Sequence, residues 1–324
     1  MNMSRIAIPF ITAAVFLIGI AVAVLYLMPR SKEAVPVPST VVAGTDTSPI
    51  RILFGGDMMF DRWIREKAMK RGNSFVFDGV RSEIRAHDLT VANLEGPITD
   101  RPSVSVTSVI GSHDNYIFSF DASWAVTLAQ EGIGPVNLGN NHILNQEADG
   151  VAQTRKYLSE AGVPFFGDPT GDNRISISDI RGTKIAFVNY DEFASGGKDR
   201  AFADIAKARS SADFVILYAH WGSEYLPVRD DVRALAHAFI DAGCDAIIGS
   251  HPHIAQEKET YAGKTVYYSL GNFVFDQYQR DDTRHGLLIS MTIDLTSKAV
   301  SFRDIPIELR TDGSTVLSAS ASRP

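Results

Sequence analysis

The sequence predicts a mixed α/β fold, and three features of its 324 residues predict it. Short apolar runs such as Leu89 to Leu94 and Asp213 to Ala219 read as buried strands bounded by polar or glycine-containing segments. Between such runs lie segments with apolar side chains at helical spacing, so strand and helix alternate. The last part, His285 to Leu309, alternates apolar and polar residues instead, the pattern of an antiparallel pair with one wet face. With 45% hydrophobic residues the chain can bury a sizeable core. Its 31 basic and 38 acidic side chains leave a net charge of -7, which argues against non-specific nucleic-acid binding.

In chain order, Ile6 to Leu27 is an apolar run without charge, about the length that crosses a bilayer. Leu27-Met28-Pro29-Arg30 follows where a cleaved signal would show small residues, so an uncleaved transmembrane signal anchor is expected over 6–28, after a short flank over 1–5. Glu33 to Pro49 turns to Pro, Val, Ser, Thr and Gly, and 29–50 is expected to be a flexible linker. A folded domain is expected over 51–310 and a frayed tail over 311–324. The single Cys244 excludes an internal disulfide and reads as a small core residue.

Arg51 to Asp57 is a strand that closes on two glycines and a carboxylate, ahead of a helical segment from Phe60 to Arg71. Asp57 there either ligates a metal or caps the helix. Asp88 to Gly96 repeats the design and ends in Glu95. A helix over Ser123 to Glu131 leads to a strand at Pro135 to Leu138, then to Gly139-Asn140-Asn141-His142, which is more polar than a plain turn needs. Glu147 to Ala161 reads as an amphipathic helix closed by Gly162. Strands at Ile175 to Ile180 and Lys184 to Tyr190, a loop at Ala194 to Lys198 and a helix at Phe202 to Ser211 follow. Asp213 to Ala219 then delivers His220, and a helix over Asp231 to Ala242 leads to the strand Cys244 to Ile248. After it, Pro252 in Gly249-Ser250-His251-Pro252-His253 forces an extended turn that can point both histidines at one place; otherwise they are solvated loop residues. Thr265 to Phe275 reads as a strand interrupted at Gly271-Asn272 by a bulge or a close backbone approach.

Metal-binding groups therefore stand at the ends of five buried strands: Asp57, Glu95, Asn141 with His142, His220, and His251 with His253. Carboxylate, amide and imidazole without thiolate suit one or two divalent ions of Mn, Fe or Zn. Two such ions could stabilise an in-line attack on a phosphoryl or similar centre. There is no internal repeat, and no Walker-type or dinucleotide glycine loop.

Taken in order, Gly-Asp, Asn-Leu-Glu, Gly-Asn-Asn-His, His-Trp-Gly, Gly-Ser-His-Pro-His and Ser-Leu-Gly-Asn-Phe resemble the motifs of the CapA family of poly-γ-glutamate capsule synthesis proteins. That family is a branch of the calcineurin-like metallophosphoesterase superfamily, and the resemblance runs from Arg51 to Leu309. It implies a four-layer αββα sandwich. Carried over by motif, Asp57 and His253 serve a first metal, Glu95 bridges, and Asn141, His220 and His251 hold a second. His142 becomes a catalytic acid or phosphate contact, or else a hydrogen-bonding partner of a carboxylate. Two departures bear on the first metal: Met59 stands where the superfamily has an imidazole, and Glu95 where it has an aspartate, so a mononuclear site is open.

Arg62 is read as a substrate contact or a solvated helix charge. Glu224 is read as a substrate contact or the partner of the His220 ring, and Asn272 as a pocket amide or a bulge residue. Trp221 and Tyr225 line a cleft or pack the core; His87, His113, His237 and His285 carry no assignment. The function implied is an anchored, outward-facing metalloprotein of the cell membrane, acting in poly-γ-glutamate synthesis, export or chain processing. Its partners would be the membrane, the polymer and membrane synthase subunits. The alternatives are a metal-dependent phosphoesterase with an unrelated substrate and a non-catalytic, metal-stabilised subunit of a synthase complex. The acidic excess does not by itself draw in a polyanion.

Overall fold

The computed structural model describes residues 47–171 and 173–318. In chain order the elements are β1 (Ile50–Met58), α1 (Arg62–Arg71), α2 (Arg81–Arg85), β2 (Leu89–Leu94), α3 (Ser123–Glu131), β3 (Ile133–Asn137), α4 (Glu147–Ala161), β4 (Phe165–Phe166), β5 (Ile175–Ile180) and β6 (Thr183–Asp191). They continue with α5 (Gly197–Arg209), β7 (Phe214–His220), α6 (Asp230–Asp241), β8 (Ala246–Ser250), β9 (Lys258–Tyr261), β10 (Lys264–Tyr267), β11 (Asn272–Val274), β12 (His285–Ile293), β13 (Val300–Leu309) and β14 (Thr315–Leu317).

Helical crossovers make neighbouring strands parallel, and each sheet has such a parallel centre. In the eight-stranded sheet the order is β14-β13-β12-β1-β2-β3-β4, with β11 also pairing with β1. The six-stranded sheet runs β5-β6-β7-β8-β10-β9. β1, β2 and β3 are parallel to one another, as are β6, β7 and β8, so each sheet gathers several carboxyl ends at one edge. Strands β2, β3, β7 and β8 are buried almost throughout, which is why they read as unbroken apolar runs.

Three apolar layers hold the sheets and helices together. Ile52, Phe54, Val91 and Phe166 of the larger sheet pack against Phe187, Ile216, Tyr218 and Ile248 of the smaller. The other face of the larger sheet is covered by side chains of α1, α3 and α4, among them Ile64, Trp124, Leu128 and Leu158. The outer face of the smaller sheet is covered by α5 and α6, through Ile205, Phe239 and Ile240. Helices, sheet, sheet and helices thus follow one another, and this mixed α/β sandwich agrees with the expected class. Cys244 is buried at its expected place beside β8.

Local chemistry sets the boundaries. α3 and α4 stop at Gly132 and Gly162, both left-handed at φ 79° and 74°. The cap of α1 is Asp61, whose carboxylate accepts from the Arg62 N–H at 2.9 Å, so the capping alternative for Asp57 falls away. Three elements differ from expectation. α5 begins at Gly197, inside the expected loop. β9 is a half-exposed edge strand, Lys-Glu-Thr-Tyr, whose charges hid it. β14 pairs with β13 and draws the chain after 310 into the sheet as far as Leu317.

The expected transmembrane helix over 6–28 lies outside the described residues. Among the described residues no helix is long and apolar enough to cross a membrane. Even α4, with 15 residues, falls short of the roughly 20 apolar residues a span needs and carries a charged face. No described element supplies the expected anchor, so the single-pass location, the outward-facing domain and the attachment to a membrane or to membrane synthase subunits are withdrawn.

The interruption at Gly271-Asn272 is a close backbone approach. Gly271 is left-handed at φ 70°, and its carbonyl accepts from the Asp57 N–H at 3.1 Å. A Cβ on Gly56 would meet that same oxygen at 1.8 Å. Gly56→Ala is expected to cost about 1–3 kcal/mol, read as a lower urea midpoint; an unchanged midpoint would deny the contact.

Candidate metal centre

The carboxyl ends of β1, β2, β7 and β8 meet where the two sheets adjoin. Asp57, Glu95, His220, His251 and His253 are all at most 5% exposed there. They form two groups that share Glu95: Asp57, Glu95 and His253, and Glu95, His220 and His251. Within each group the ligand atoms lie within 4.8 Å of one another. The two loop histidines reach the centre because His251 and His253 take left-handed backbone conformations, φ 96° and 59°, strained for non-glycine residues. The His251 N–H donates to Asp57 Oδ2 at 3.1 Å, tying the end of β8 to the end of β1.

Each ligand group is held by a neighbour. Asn93 lies beneath the centre, and its amide donates to Asp57 Oδ1 at 2.9 Å and to Glu95 Oε2 at 3.1 Å. Its oxygen accepts from Asn137 at 3.0 Å and Asn140 at 3.1 Å. His220 Nδ1 lies 3.0 Å from Ser250 Oγ, and its Nε2 lies 2.9 Å from Asn141 Oδ1. His253 Nδ1 sits 2.9 Å from Asn272 Oδ1 and 3.3 Å from Asp57 Oδ2. Phe193 packs its ring 4.4 Å from that of His251.

The electrostatics suit a cation. Burial, the largest influence, would raise the Asp57 pKa, but the hydrogen bond with His253 and the charges of His253 and His220 together outweigh it and hold the carboxyl well below the usual range. Glu95 is pushed far up, by burial first and then by the Asp57 carboxylate beside it. His220 is driven low by burial and by His251, and His251 is pushed down to about 3 by burial and by His253. These imidazoles stay neutral, the form that ligates metals.

Two atoms report the fit most plainly. Glu95 Oε1 and His251 Nδ1 are buried and have no hydrogen-bond partner. The 3.6 Å from Glu95 Oε1 to His253 Nε2 is ion-pair range but beyond a hydrogen bond. Buried polar atoms left unpaired are rare and costly, and here both belong to groups that bind divalent metal through such lone pairs. The clusters are consistent with a mono- or dinuclear divalent site. Met59 takes no part: it is fully buried, with its sulfur accepting from the Asp61 N–H at 3.0 Å.

The remaining predicted residues surround this centre. His142 is half-buried, its Nδ1 3.1 Å from Asn145 Oδ1 and its ring 4.4 Å from Phe118; burial pushes its pKa down to about 4. Arg62 is paired with Asp276 and stands over the Phe118 and Phe275 rings, at 5.2 and 5.4 Å. Phe275 in turn lies 4.8 Å from the His253 ring. Asn272 is fully buried, and its N–H groups go to Gln277 Oε1 and the Thr283 carbonyl, so it acts on the centre through His253. Glu224 is exposed beside the Tyr225 hydroxyl; the His220 ring nitrogens are taken by Ser250 and Asn141. Trp221 is a core residue whose indole donates to the Tyr268 carbonyl at 2.9 Å. Sequence reasoning passed over Asn93 and Ser250, although both sit inside quoted motifs, Asn-Leu-Glu and Gly-Ser-His-Pro-His.

Fold and site together define a metal-binding α/β sandwich with a buried carboxylate–imidazole centre at its strand ends. The chain belongs to the family described as bacterial capsule synthesis protein PGA_cap, whose profile matches residues 51–277. It is similar to the capsule biosynthesis protein CapA of Bacillus anthracis, 30% identical over 246 residues, which are 68% of this chain and 59% of that protein. The PGA biosynthesis protein CapA of Bacillus subtilis (strain 168) is 28% identical over 244 residues, 69% of this chain and 63% of the relative. A probable polyglutamine synthesis accessory protein of Mycobacterium tuberculosis, Rv0574c, is 26% identical over 210 residues, 53% of this chain and 54% of that one. The chain spans about three fifths of the length of the two Bacillus relatives.

Proposed function

We propose that this chain is a CapA-type metal-binding protein of bacterial capsule biosynthesis, working through the strand-end centre. The observation that carries the reading is Glu95, shared between two buried ligand groups and left with an unpaired oxygen. In this reading Asp57 and His253 hold one divalent ion and Asn141, His220 and His251 a second, with Glu95 between them. Bound there, such ions supply Lewis acidity towards a developing oxyanion.

The protein's own groups do the positioning. Asn93 fixes both carboxylates from below, Ser250 sets the His220 ring, and Asn272 sets the His253 ring. His142, neutral with its pKa lowered to about 4, is placed to accept a hydrogen bond or a proton. It does so in the form present at neutral pH.

Two measurements test the reading. Manganese added to the purified full chain is expected to stabilise it by about 2.7 kcal/mol when the free ion stands at about 100 times its Kd. In the native host, Asp57→Ala and His251→Ala chains are expected to lose capsule polymer as fully as a deletion of the gene. Wild-type polymer from variants that no longer take up metal would contradict the proposal.

A further inference from the structure

A cleft of about 370 Å³ opens beside the centre, within the range of small-molecule sites. Its walls carry the rings of Trp63, Tyr116, Tyr225 and Tyr278. Tyr116 is 46% and Trp63 42% exposed, so ring surface is open to an occupant, although Lys67 stacks on the Trp63 indole at 4.0 Å. The cleft is also connected to the centre. The Gln277 amide donates to Tyr225 Oη at 2.9 Å, its oxygen accepts from Asn272 at 3.1 Å, and the Asn272 oxygen lies 2.9 Å from His253 Nδ1. Three hydrogen bonds thus link a cleft wall to a histidine of the centre.

The charges in the lining decide what fits. One guanidinium faces two carboxylates: Arg62, Asp276 and Glu66. Arg62 is already neutralised by Asp276 and further engaged with Asn115 at 3.4 Å. Arg280, which stands over the Tyr225 ring, is paired with Asp282 at 2.6 Å. The Glu66 side chain makes no ion pair or hydrogen bond among the described residues. Lys67, over the Trp63 ring, is the one cation at the wall that pairs with no carboxylate among the described residues, so a chain with a carboxylate on every unit would find a single counter-charge, with Glu66 beside it. A sugar chain suits the rings, the amides and the unpaired carboxylate of the lining. Its C–H faces lie on aromatic rings, and its hydroxyls donate to carboxylates and exchange hydrogen bonds with amides and tyrosines.

We propose that this cleft binds a neutral, hydroxyl-rich sugar chain, stacked on Tyr116 and hydrogen-bonded to Glu66, with the Tyr225–Gln277–Asn272 link directing it towards the centre. The direction towards the centre rests on the metal-centre reading; the binding does not.

The test is calorimetric titration of the full chain, with manganese and after chelation, against the neutral tetrasaccharides of N-acetylglucosamine, glucose and galactose. A γ-linked tetraglutamate serves as the polyanion. At least one tetrasaccharide is expected to bind with little dependence on salt, and Tyr116→Ala to weaken it about tenfold. Tyr116 is half-exposed, and unchanged manganese uptake by Tyr116→Ala verifies its fold. The proposal is overturned if none of the three sugars binds. It is equally overturned if tetraglutamate binds in a way that Tyr116→Ala abolishes and Glu66→Gln strengthens. Sugar binding by a chain that takes up no manganese would sink the metal reading alone.

Discussion

Replacing Asn93 by leucine is expected to destabilise the chain by about 3–5 kcal/mol and to weaken metal binding by about 10–100-fold. Leucine keeps the branched outline of asparagine but is bulkier, so overpacking at this fully buried position adds to the lost hydrogen bonds. Asp57, Glu95, Asn137 and Asn140 would each lose the partner that Asn93 now provides. Two of these are carboxylates buried at 0% exposure, where water cannot replace the lost donor. A bond to a charged group such as Asp57 contributes about 1.5–3 kcal/mol, and the Asn137 and Asn140 amides, each keeping one backbone acceptor, lose their second one. Urea unfolding and manganese titration of the same preparation read both effects. A variant as stable as the parent would show that the centre does not depend on this amide.

Glu95→Gln is expected to split stability from function. In the metal-free chain Glu95 is a buried acid beside Asp57, with one oxygen unpaired and its pKa pushed far up. Removing its ionisable group relieves that conflict, so the chelated variant should unfold at the same urea concentration as the parent or a higher one. Its metal affinity should fall more than about 100-fold, because the carboxylate common to both ligand groups is gone. A variant that is destabilised without metal and binds manganese normally would reverse the assignment and make Glu95 a structural residue.

Much of this centre was legible because of where parallel strands put their ends. Buried parallel strands are covered on both faces, so they read as apolar runs, and a polar residue at the end of such a run stands out. Asp57, Glu95, His220, His251 and His253 were found that way. Asn93 was not, because an asparagine one turn of the strand before a glutamate looks like ordinary polar alternation until its partners from β3 and the following loop are seen. Asn272 needed the parallel pairing of β11 with β1, which sets it opposite Asp57. Arg62 needed Asp276, 214 positions away, before its charge could be recognised as already engaged. Such long-range pairings leave no local mark on the sequence. The apolar run at the amino terminus shows the converse: hydropathy alone carried an anchor and a location that no described helix upholds.

Elemental analysis of the full chain, saturated with Mn, Fe or Zn and then freed of excess ion, decides whether the strand ends enclose a cation. About one or two divalent ions per chain are expected in the parent, and only traces in a Glu95→Ala, His251→Ala double variant that still folds. A metal-free parent, or a double variant that retains the parent's metal, would contradict it.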